Sequence, residues 1–80
     1  MDIQLISGRF TPQESVDLIS RLLQVKIDFH QEKIQHSSME EDIKMRESKI
    51  KALQLQLVAA RALLQNRDEG IDLTSSIKVG

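Results

Sequence analysis

Residues 33–44 read KIQHSSMEEDIK, near the middle of an 80-residue chain and free of glycine and proline. They are either the interior of one long helix or the break between two, and the architecture follows from that choice. Upstream, Val16, Ser20, Leu23, Ile27, His30 and Ile34 recur at alternating spacings of four and three, which draws one stripe along a helix. Continuing that heptad forward would bring Ser37, Glu41 and Lys44 onto the seam, all of them polar. The same spacing resumes instead at Met39 and runs through Ile43, Arg46, Ile50, Leu53, Leu57, Ala60 and Leu64 in a different phase. One uninterrupted helix cannot keep both seams facing the same neighbour, so the break is expected at QHSS, residues 35–38.

Working outward, the first helix has a clear start. Thr11 is placed to cap, Pro12 fits the first helical position where its missing N–H costs nothing, and Glu14 completes a capping box. The second helix is expected to be capped by Ser38, with Glu40, Glu41 and Asp42 at the positive end of its dipole, and to stop near NRDEG, where Gly70 would turn left-handed. A connection this short implies antiparallel neighbours. Seam residues then face each other where their numbers add to 76 or 77: Ile34 with Ile43, His30 with Arg46, Ile27 with Ile50, Leu23 with Leu53, Ser20 with Leu57, Val16 with Ala60.

Composition agrees with a helical protein. Charged residues make up 29% and hydrophobic ones 40%, while Phe10 and Phe29 are the only aromatics. No cysteine is present, so disulfides and thiolate metal sites are unavailable. The net charge of −1 gives no general attraction for nucleic acid or anionic membrane, and no apolar run nears the roughly 18 residues of a spanning helix. With no secretory signal evident in MDIQLISGRF, the expected compartment is the cytoplasm.

The expected organisation is an extended segment over residues 1–10, a helical hairpin over 11–69 with helices at about 12–36 and 39–68, and a tail over 70–80. Both ends alternate in polarity, with Met1, Ile3 and Leu5 in phase in one and Ile71, Leu73, Ile77 and Val79 in the other, so the choice lies between short strands and frayed tails. The expected fold class is all-α: an antiparallel helical hairpin dimerising into a four-helix bundle, with short extended or disordered termini.

Chemistry is sparse. Asp28, Glu32 and His36 share a helix face at the spacing a divalent metal would need, but carboxylates so spaced are the ordinary surface of a soluble helix. In KMRESKIK, Lys44 and Lys51 lie on one stripe with Glu40 and Glu47, which neutralises the patch. The unusual feature is a polar layer, His30 with Arg46, inside an apolar seam. It reads as a register device, with an anion site between the helices as the sharper alternative. No catalytic constellation, metal site or cofactor site is expected.

The remaining signal is surplus apolar surface. Leu18, Leu22, Val25 and Phe29 form a second stripe on the first helix, and Met45, Ala52, Ala59 and Leu63 a line of smaller residues on the second. Two seams need two neighbours, so these eight residues are the expected interface of a homodimer. The expected function is a small structural or regulatory protein–protein interaction module, with the terminal segments as a further docking element for another protein. In outline this resembles helical-hairpin homodimers such as the plasmid RNA-regulating Rop protein, which makes a nucleic-acid-binding regulator the alternative. An enzyme with a polar pocket at Arg46 is a third.

Overall fold

In the computed structural model, which describes residues 1–80, the order of elements is β1 (Asp2–Phe10), α1 (Pro12–Gln35), α2 (Glu40–Gln65) and β2 (Ile71–Lys78). The two helices pack as a hairpin, and the two strands pair antiparallel into a ribbon at its open end. The chain is therefore not all-α, and its ends are neither frayed nor disordered. Nor is the chain by itself a four-helix bundle: it supplies two helices, and both strands approach α1 while neither approaches α2.

The helix break falls as the phase jump requires. α1 ends at Gln35, His36 caps it, and α2 begins at Glu40. The capping box at the start of α1 is complete: the Glu14 backbone N–H donates to Thr11 Oγ1 at 3.0 Å, and the Thr11 N–H donates to Glu14 Oε1 at 2.8 Å. The second cap differs from expectation. Met39 occupies the N-cap with no side-chain bond, and it is Ser37, not Ser38, whose Oγ accepts from the Met39 N–H at 3.3 Å. α2 stops at Gln65 rather than 68, and Gly70 is not left-handed. The helix closes on Asn66 at φ −97°, and the chain reaches β2 at Ile71 through a turn at Asn66 and a bend at Glu69.

Both seams turn inward. Ile27, Leu53 and Leu64 are the buried hydrophobic residues, and Val16, Ser20, Leu23, His30, Ile34, Ile43, Arg46, Ile50, Leu57 and Ala60 are half-buried. Met39 alone departs, 67% exposed beside the turn. A further buried residue, Ser15 in the first turn of α1, is fully covered although it lies about a quarter-turn off the seam. Its hydroxyl donates to the Thr11 carbonyl at 2.9 Å, so the buried polar side chain is satisfied.

The ribbon owes its sidedness to one extra residue. Phe10 pairs with Ile71, Gly8 with Leu73 and Ile6 with Ser75; the register then shifts, and Gln4 pairs with Ser76 and Ile3 with Ile77. Leu5 is the bulged residue. In the sequence the apolar phase slips at this point, from Met1, Ile3 and Leu5 to Ile6 and Phe10. Without a bulge those two sets would point to opposite faces. With it, paired residues bring Ile3, Ile6, Phe10, Ile71, Leu73 and Ile77 to one face. Gly8 has a φ of 152°, a backbone conformation that side chains disfavour, and the ring of Phe10 lies over it.

Candidate interaction surface

The polar layer predicted from the seams is a contact. Arg46 Nη1 donates to His30 Nδ1 at 3.1 Å, at numbers adding to 76, and Arg46 Nε pairs with Asp42 at 3.4 Å. The arginine is thus held on two sides, by a carboxylate one turn earlier on its own helix and by the imidazole across the seam. Partial desolvation in the seam, then the charges of Arg46, Lys49 and Lys26, hold His30 below the usual imidazole range. A neutral ring with its proton on Nε2 leaves Nδ1 free to accept, which is the tautomer this bond needs. Phe29 completes the cluster, edge-on to His30 with centroids 5.5 Å apart, its ring 5.6 Å from Lys33 Nζ and 6.0 Å from Arg46 Cζ.

Beside this layer a shallow groove of about 260 Å³ opens between the helices, lined by Lys26, His30, Lys49, Ala52, Leu53 and Gln56. Because it joins Lys26 of α1 to Ala52 of α2, it fixes which flanks of the two helices share a side. Leu22 and Phe29 lie one turn before and after Lys26. Met45 and Ala59 lie two turns either side of Ala52, with Leu63 beyond. The two stripes named from the sequence therefore rise on one side of the hairpin.

Their exposure is uneven. Leu18 and Leu22 are half-buried, on the part of α1 nearest the ribbon, whereas Val25, Phe29, Met45 and Leu63 are exposed along with the two alanines, Ala52 and Ala59. Three lysines, Lys26, Lys33 and Lys49, stand among them without a carboxylate partner, whereas Lys44 pairs with Glu40 at 3.6 Å on the opposite flank. Asp28, Glu32 and His36 do not converge; Asp28 accepts from Gln24 Nε2 at 2.9 Å.

One surface escaped the heptad reading. The second half of α2, LQLQLVAARALL over residues 53–64, is apolar nearly all the way round, and Leu55 and Val58 are 63% and 65% exposed on sides the two stripes do not reach. Helices apolar on every side are ordinarily buried ones. Counting apolar residues around the wheel, instead of only along the seam, would have found it.

No helix is long and apolar enough to cross a membrane. No protein-family model matches the chain, and neither a curated protein nor a solved structure is detectably similar to it. The likeness to Rop thus rests on the helical pattern alone, and the ribbon departs from it.

Proposed function

We propose that this protein is a small structural or regulatory interaction module that acts as a homodimer. One observation carries the reading. The chain exposes 6273 Å², whereas a compact monomer of 9.1 kDa exposes roughly 4,900 Å². The surplus of about 1,400 Å² exceeds the roughly 800 Å² per partner of a standard interface and falls in the range of obligate dimers. Only three hydrophobic residues are buried, too few to stabilise so extended a shape without help. Exposed Val25, Phe29, Met45 and Leu63 supply part of the apolar area that a second copy would cover.

Light scattering over a hundredfold range of concentration tests this. The expected mass is about twice 9.1 kDa, falling toward the monomer only on strong dilution. A well-folded monomer at every concentration refutes it.

The unpaired lysines support a second reading, a nucleic-acid-binding regulator that uses Lys26, Lys33 and Lys49 on one flank. Such binding would weaken by orders of magnitude between low and physiological salt, and substitution of the three lysines by glutamine would flatten that slope.

A further inference from the structure

We propose that the second copy is held mainly at the open end of the hairpin, by the overhanging half of each ribbon lying across the apolar second half of the partner's α2. This rests on the homodimer reading and gives it a location.

The ribbon's apolar face is covered at one end only. Ile6, Phe10, Ile71 and Leu73, near the helices, are half-buried. Further out on the same face, Ile3, Ile77 and Val79 are exposed by about two-fifths to one half, and Met1 by 85%, with the bulged Leu5 beside them at 44%. Neither strand approaches α2 within the chain, so nothing of its own covers the overhang on that side. The outer pairing is nonetheless complete: the Val79 N–H donates to the Met1 carbonyl at 2.7 Å, and the Met1 ammonium donates to the Val79 carbonyl at 2.9 Å. A ribbon paired out to Met1 and Val79 presents an ordered apolar sheet face.

The complementary surface is on the same chain. Leu55, Val58 and Leu63 project from α2 on sides away from α1, and across residues 53–64 the one charge is Arg61. Covering this segment desolvates almost no charge, in contrast to the mid-helix face, where Lys26, Lys33 and Lys49 of two copies would meet their own kind. The dimensions also match. Twelve residues of helix span about 18 Å, and five residues of strand span about 16 Å. Each chain offers one ribbon overhang and one apolar helix half at the same end, so a two-fold axis there satisfies both pairs at once and closes. The flatness of the chain, 47 × 33 × 13 Å, leaves both surfaces accessible to a copy laid against it.

The absence of cysteine makes the test direct. Chains carrying Ile77→Cys and Val58→Cys are mixed and oxidised under native conditions, with Ile77→Cys and Glu32→Cys as the control pair. The expected result is a covalent 58–77 dimer, and little from the control. In addition, Ile77→Lys should raise the dimer dissociation constant by tenfold or more, with helicity monitored by circular dichroism. A dimer that forms no 58–77 bridge overturns this proposal and leaves the homodimer reading standing, as does a dimer that survives Ile77→Lys but is lost in Phe29→Glu. A folded monomer at all concentrations overturns both.

Discussion

The register of the hairpin gives the most exacting stability test, because a slip of one turn would leave helix content unchanged while repacking every seam residue. Leu53 is 6% exposed and Leu23 half-buried. Their numbers add to 76, as do those of His30 and Arg46, which are in contact. Leucine-to-alanine changes in cores cost about 2–5 kcal/mol, the upper end arising where a sealed cavity remains. Here the groove beside Leu53 opens to water, so the void is not sealed, and Leu53→Ala should cost about 2–3 kcal/mol. Leu23→Ala, losing less buried area, should cost about 1.5–2 kcal/mol. The informative quantity is their coupling. Side chains that share a contact deviate from additivity by roughly 0.5 kcal/mol or more, whereas residues beyond about 10 Å add. Leu64 lies eleven positions along α2 from Leu53, about 16 Å away. The double change Leu23→Ala with Leu53→Ala should therefore be non-additive, and Leu23→Ala with Leu64→Ala additive. Urea unfolding followed at 222 nm, at one fixed protein concentration, gives all five values. Coupling to Leu64 as strong as that to Leu53 would refute the register.

Acidification should destabilise the fold through His30. Its folded pKa is lowered, so the unfolded chain binds the proton more readily; stability is complete above about pH 6.5 and declines as pH falls from there through the folded value. The urea midpoint should drop between pH 7.5 and 5.5 and do so less in His30→Gln; a midpoint that rises on acidification contradicts the assignment. At the caps, Thr11→Ala should cost about 1 kcal/mol, because it removes a formed capping box, while Ser38→Ala, whose hydroxyl caps nothing, should change the midpoint by less than about 0.5 kcal/mol. Equal losses would mean that Ser38 does cap in solution. Gly8→Ala should cost about 1–3 kcal/mol from backbone strain alone, since the added methyl would meet the Phe10 ring at an ordinary 3.7 Å. A neutral result in thermal unfolding would show that the ribbon relaxes at this point.

The parts of the fold that could be read from the sequence are those decided within one or two helical turns. The two-residue phase jump between Ile34 and Met39 marks a break because a heptad has no freedom to absorb it, and Thr11-Pro12 with Glu14 closes a capping box using neighbours alone. Ser37 and Ser38 show the limit of local reading: both hydroxyls have suitable chemistry, and the path of the chain through the turn decides which one reaches a backbone N–H. The strands were obscured for a different reason. Leu5 and Ile6 are adjacent apolar residues, so a strict period of two ends there and MDIQL looks like an isolated fragment. The phase slip that hides the strand is the same feature that makes it useful, because the bulge at Leu5 gathers two out-of-phase apolar sets onto one face. That face has a partner only at its inner end. The pairing of β1 with β2 joins segments some 70 residues apart, and it becomes favourable only once the hairpin has brought residues 10 and 71 together. The candidate surface follows the same division: His30 and Arg46 could be paired by arithmetic along the seams. The apolar overhang and the bare second half of α2 exist as surfaces only after both long-range pairings have formed. The ribbon is therefore best regarded as the consequence of the hairpin's register, and any slip that uncoupled Leu23 from Leu53 would also displace the overhang from the position in which we propose that a second copy covers it.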